Sequence, residues 1–261
     1  RGMAMKNILK IMLMMITIFT IAGSAVYAAE IPVSDQDQLI TSSDWTEISN
    51  LQDEMKKEEP DATIDYDKAL KVYVDCNLIK LQTADTKKLT SALESANYVW
   101  VIPFKMEKTY GMFTVAKGLP LSEEAKSVLT KAEQEEVKNH AGKWMITETA
   151  EHTVEPYYDI LLEKREALSD CTRVVLVGSQ PGMRQPVALG MDDETARIWI
   201  SLGYQYPVME KIPETQNVES GVYSFESVAD ISDTYIEDSE VSTGAGVQSR
   251  SSMKYVAGIG I

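Results

Sequence analysis

Residues 172–203 read TRVVLVGSQPGMRQPVALGMDDETARIWISLG. Three short apolar runs, Val174–Val177, Pro186–Leu189 and Ile198–Leu202, are separated by turn chemistry. Ser179-Gln180-Pro181-Gly182 follows the first run and Asp192-Asp193-Glu194 follows the second. Runs this short, rich in Val and Ile and bounded by Gly, Pro and Asp, read as strands. The gaps are too short for a helical crossover, so the strands are expected to pair antiparallel. Such a meander has a face to bury, and amphipathic helices upstream supply the cover. The fold class expected is therefore α+β, an antiparallel sheet of about five to six strands with about three helices packed on it. The main domain is placed at residues 64–210.

Upstream, the run from Tyr98 to Phe104 and the run from Tyr110 to Ala116 make a second hairpin, joined through Glu107-Lys108. Pro103 cannot donate to a ladder, which places it at an edge or a bulge. Before this hairpin, Asp65 is read as capping a helix that bears Ala69, Leu70, Val72 and Tyr73 and ends near Asp75. Leu78-Ile79-Lys80-Leu81 is read as a short strand. Leu89, Ala92, Leu93 and Ala96 recur at helical spacing after Thr86. Between hairpin and meander, Ser122 caps a helix with the stripe Val128, Leu129, Ala132 and Val137, closing at His140-Ala141-Gly142. A strand over residues 143–147 follows, then a helix opened by Pro156 and running to Leu168. The order helix, strand, strand thus occurs at 86–116 and again at 156–189. It fits an internal duplication, but no residue identities align between the two copies, and any helix-covered antiparallel sheet gives the same order.

The two ends have a different character. Residues 1–28 carry Met5-Lys6-Asn7, an apolar run from Ile8 to Ala22 and small residues up to Ala28, the pattern of a secretory signal peptide cut after Ala28. An uncleaved anchor is the alternative. Residues 29–63 form a polar leader with a short helix over Trp45, Ile48, Leu51 and Met55. Residues 211–229 offer an edge strand near Val222 and a turn. Residues 230–261 are an acidic, Ser/Gly-rich flexible tail. Its last run, from Met253 to Ile261, reads as the start of a truncated C-terminal membrane anchor or as a frayed end.

Lys and Arg number 25 against 40 Asp and Glu, a formal net charge of −15. Clustered cations for phosphate contact are missing, which excludes nucleic acid as a partner and leaves the membrane only through a terminal anchor. Cys76 and Cys171 permit one disulfide after export, or two buried thiols. Gly178-Ser179-Gln180-Pro181-Gly182 matches neither a nucleophile elbow nor a phosphate-cradling loop. His140 and His152 stand in no characteristic spacing with either cysteine. Asp192, Asp193 and Glu194 are the one cluster where calcium would bind, against a plain acidic hairpin turn, and lack the spacing of an EF-hand.

Two features point to binding. Arg184 and Gln185 lie in a long turn flanked by prolines, a rigid loop that displays polar groups. Trp199 alternates with Ile198, Ile200 and Leu202; if those face inward, Trp199 faces outward beside Tyr204 as an aromatic platform. The function expected is an exported, non-catalytic binding or cell-envelope interaction module, secreted or attached at the cell surface, for a protein, peptide or glycan. The alternatives are an extracellular hydrolase with a carboxylate or cysteine-based site, and a structural spacer.

Overall fold

The computed structural model describes residues 31–239, apart from residues 153, 184, 205, 207 and 214–216. The expected signal peptide and the end of the acidic tail lie outside the described residues. Ten strands form one sheet: β1 (Thr63–Ile64), β2 (Leu70–Val74), β3 (Asn97–Lys105), β4 (Tyr110–Lys117), β5 (Trp144–His152), β6 (Arg173–Val177), β7 (Val187–Met191), β8 (Ala196–Ser201), β9 (Asn217–Glu219) and β10 (Val222–Ser224). Their spatial order is β5-β4-β3-β2-β6-β7-β8-β10-β9, with β1 also against β3. The β6-β7-β8 meander is antiparallel as expected. At the centre, β2 and β6 pair parallel through Val72–Leu176 and Tyr73–Val177. The chain between them is long enough to return in the same direction, which the short gaps of the meander forbid.

The sheet is larger than expected: the stretch read as a helix after Asp65 is β2, and the short strands β1, β9 and β10 join it. Leu70-Lys71-Val72-Tyr73-Val74 alternates with period two, Leu70 and Val72 to one face and Lys71 and Tyr73 to the other. The expected strand at Leu78 is a 3₁₀ turn over Ile79–Leu81. Its start is pinned by Gln180, which accepts from the Leu78 N–H at 3.0 Å and donates to the Gly178 carbonyl at 2.8 Å. Pro103 is interior rather than at an edge. Its carbonyl accepts from Asp65 N at 2.9 Å, so its nitrogen faces the same way, into the break between β1 and β2. The missing donor falls where residues 65–69 turn away from the ladder.

Helices cover both faces. On the front, α1 (Trp45–Ile48) and α2 (Gln52–Glu58) bury Ile48 and Met55 against Trp100, Ile102, Phe104 and Phe113. Across the other half of the front, α3 (Thr86–Ser95) brings Leu89 and Leu93, and α7 (Phe225–Ser239) brings Phe225 and Val228, onto Val175, Leu189 and Trp199. On the back, α6 (Tyr157–Glu163) packs Tyr157, Ile160 and Leu161 on Leu70, Val174, Leu176 and Ile200. Between β4 and β5, α4 (Glu123–Val128) and α5 (Lys131–His140) replace the single helix expected after Ser122. Val128, expected in its buried stripe, is 80 % exposed.

The polar leader belongs to the fold. Ile31 and Val33 enter the back core, and Leu39 enters the front core. Val33 bridges β6 at Val174 and Gln38 bridges β2 at Leu70, so the leader spans the parallel seam. At the other end, Val222 to Ser224 is a strand but not the expected edge, since it pairs with β8 on one side and with the outermost strand β9 on the other; helix continues well past residue 230, where the tail was expected to begin.

Candidate functional site

At the seam the front face carries Lys71, Tyr73, Tyr98 and Trp100 side by side, because Lys71 registers with Trp100 and Tyr73 with Tyr98. An ammonium in this position needs partners, and the leader supplies them. Asp37, 2 % exposed, receives the Tyr73 hydroxyl at 2.7 Å, Ser34 Oγ at 2.6 Å and Arg173 Nη2 at 3.1 Å, and lies 3.7 Å from Lys71 Nζ. Asp44 accepts from the Tyr98 hydroxyl at 2.9 Å and from Trp100 Nε1 at 3.0 Å, both on Oδ2. Lys71 Nζ stands 4.5 Å from the Tyr98 ring centre, 5.2 Å from Trp100 and 5.8 Å from Tyr73, within cation–π reach.

Burial pushes the Lys71 ammonium below its ordinary range, and Arg173 adds to this, against the pull of Asp37 and Asp44. Burial likewise raises the Tyr73 and Tyr98 hydroxyls, with Asp37 and Asp44 respectively reinforcing it. Both phenols therefore stay protonated donors, as their bonds to the carboxylates require. The cluster is two cations against two carboxylates, internally balanced.

A polar pocket of about 430 Å³ opens over this cluster, lined by Gln36, Thr41, Ser42, Ser43, Asp44, Lys71 and Tyr98. Tyr98 is also a wall of a second, mainly apolar cleft of about 460 Å³ that reaches Val99, Leu119, Pro120 and Trp144. There the Trp144 ring sits 5.9 Å from Tyr98 with Lys117 Nζ 5.5 Å above it. A third hollow, about 590 Å³, lies between residues 79–84, β8 and the start of α7.

The residues expected from the sequence lie elsewhere. Trp199 is wholly buried and stacks on Phe225 at 5.6 Å and 14°. It offers no outer face, because the sheet is covered on both sides, so the expected platform does not form. Tyr204 is half-buried against the cores of both faces. Gln185 is exposed on the β6–β7 loop, and Arg184 lies outside the described residues. Cys76 and Cys171 are both free: the first lies in the front core, the second in the back core, with the sheet between them. Burial pushes each thiol up to about 11.

Asp192 spends its carboxylate on its own turn. Oδ1 accepts from the Glu194 and Thr195 backbone N–H groups at 2.8 and 2.6 Å, and Oδ2 pairs with Arg197. These contacts, the two backbone bonds first, hold it down at about 2. Asp193 accepts from Thr172 Oγ1 at 2.9 Å. Among the described residues no three His, Cys, Asp or Glu side chains are placed to hold a metal ion together.

Sequence reasoning missed Lys71, Asp37, Asp44, Tyr98 and Trp100 as a group. The available signal was a lysine inside the apolar alternation of β2, which has to face either water or a carboxylate. Comparison with protein-family models, with curated proteins and with solved structures gives no match.

Proposed function

We propose that the chain is an exported, non-catalytic binding module whose ligand enters the polar pocket over Lys71 and beside Tyr98. The observation that carries this reading is preorganisation. Tyr98 is held by Asp44, Lys71 by Asp37 and three rings, and both line an open pocket of about 430 Å³, within the range of small-ligand sites. Side chains fixed before the ligand arrives cost little ordering entropy on binding. For the hydrolase alternative, the two thiols are shifted upward, away from the thiolate a cysteine nucleophile needs. The spacer alternative has no use for a buried charge cluster beneath an open pocket.

Protein-observed NMR with a library of small polar fragments tests the proposal. Amide shifts are expected to concentrate at residues 36–44, 71 and 98. Shifts spread evenly over the surface, or hits confined to the hollow near α7, would remove the pocket as the ligand site.

A further inference from the structure

Resting on that reading, we infer that the pocket over Lys71 takes a neutral, polyhydroxylated ligand, a saccharide. Electrostatics narrows the ligand class first. The chain carries a net charge of −15, so its long-range field opposes phosphates and acidic peptides. Inside the pocket the Lys71 ammonium opposes a ligand cation, and Asp44 opposes a ligand anion. Field and pocket together leave the uncharged polar class.

The pocket's hydrogen-bonding groups narrow it further. Lys71 only donates and the Asp44 carboxylate only accepts, the Gln36 amide and the Ser43 hydroxyl do both, and the Thr41 and Ser42 hydroxyls, which donate to the Asp35 and Leu39 carbonyls, add acceptor lone pairs. A ring of hydroxyls that each donate and accept can satisfy this mixed set, whereas a purely apolar or singly charged ligand leaves part of it unpaired. Gln36, Thr41 and Ser43 lie exposed at the rim, where their side chains reach an incoming ligand.

The pocket also has a single aromatic wall. Tyr98 is fixed against Trp100, edge-on at 6.3 Å, and against Trp144 at 5.9 Å. It presents carbon surface beside polar groups, and a sugar ring has the complementary make-up: C–H patches flanked by hydroxyls. The neighbouring apolar cleft gives the opposite lining, and a saccharide is expected to stop at Tyr98.

A glycan array probed with the full chain, followed by calorimetric titration of the best-scoring oligosaccharide, tests this. Affinity is expected to change less than about twofold between ~50 mM and ~500 mM salt, since screening has no charged pair across the interface to weaken. Lys71→Met, and separately the double variant Gln36→Ala/Ser43→Ala, are expected to weaken binding about tenfold or more, each leaving ligand hydroxyls or pocket groups unpaired. The double variant touches only exposed rim side chains, so an unchanged circular dichroism spectrum with lost binding separates recognition from folding. Full affinity in the double variant, or affinity that collapses with salt, overturns the inference. An array without hits, while fragments still shift the amides of residues 36–44, overturns the saccharide and leaves the binding module. If fragments also leave those amides unmoved, both readings fall.

Discussion

Asp37 shows how one buried carboxylate ties separate parts of a chain together. It binds Tyr73 from β2, Arg173 from β6 and Ser34 from its own turn, and it is the near counter-charge of Lys71. Removing it leaves two cations in a covered place with a phenol whose proton has lost its acceptor. Asp37→Ala is therefore expected to cost about 3–5 kcal/mol, the range for breaking a buried ion pair from one side. Urea unfolding measures it, and a loss below about 1 kcal/mol would show that water replaces the carboxylate freely. Asp192 gives a second, pH-dependent outcome. Its carboxyl is held at about 2 in the fold against an ordinary 3.8, so the unfolded chain takes up the proton first as pH falls. The stability it contributes is present above 3.8 and lost as pH falls through about 2. Asp192→Asn should flatten that part of the acid limb and lower stability near neutrality, because the contribution present above 3.8 goes with the charge; an unchanged acid limb would mean that other carboxylates govern it. Asp192 was legible as part of an acidic hairpin turn, whereas Asp37 was not legible at all. Asp37 sits in a polar leader with no periodicity, and its partners lie in β2 and β6, so nothing local marks it as buried.

Among the elements, the α4–α5 junction is the clearest case of a signal that was present and unread. Thr130 accepts from Glu133 N, and the Glu133 carboxylate takes the Thr130 N–H at 2.8 Å, a complete capping box. The Thr-x-x-Glu spacing is in the sequence, but the apolar stripe through Val128 and Leu129 runs across it and mimics one continuous helix. Because no residue of α5 is buried, its helicity depends on such local terms. Thr130→Ala is expected to cost α5 about 0.5–2 kcal/mol, seen as faster amide exchange over residues 131–140 with little change in global melting. A matching drop in global melting would show that α5 is coupled to the sheet after all. Gly111 makes the contrasting prediction. A Cβ there would meet the Phe104 ring at 2.1 Å and the Ala150 carbonyl at 2.8 Å, one in the core and the other backbone. Gly111→Ala should then cost about 1–3 kcal/mol, read from global unfolding; a neutral result would mean that the Phe104 ring can swing clear. The meander and the β3–β4 hairpin were legible because turn residues bound them closely. β2 was not, because Asp65 looked like a cap and five residues of alternation are too few to outweigh it. The unbroken apolar runs of β6 and β7 carried a further message. All of Val174 to Val177 and Val187 to Met191 is buried, the mark of strands covered on both faces, and a one-sided sheet was the wrong inference from them.

At the scale of the whole molecule, two sets of strands run outward from the parallel pair β2–β6, and the pairing register at that seam spans only Val72–Leu176 and Tyr73–Val177. The leader crosses it, bridging β6 through Val33 and β2 through Gln38, and Asp37 binds Arg173 on one side and faces Lys71 on the other. The same segment forms the roof of the polar pocket, so the strap that closes the seam and the wall that would meet a ligand are one piece of chain. Stability and recognition are then linked: a ligand bound between residues 36–44 and Lys71 also holds the strap down, and should raise the melting temperature in proportion to the logarithm of its concentration. The sharper prediction concerns loss of the strap. Ile31, Val33, Leu39 and Ile48 are all buried, each worth roughly 1.5–3 kcal/mol. Together with the Asp37 cluster this approaches the whole stability of a domain, about 5–15 kcal/mol. A chain beginning at Gln52 is therefore expected to lose its fold, giving collapsed amide dispersion in the NMR spectrum and exposed Trp100 in its fluorescence. A dispersed spectrum with a cooperative melt would show instead that the sheet closes its own seam and that the leader merely lies upon it.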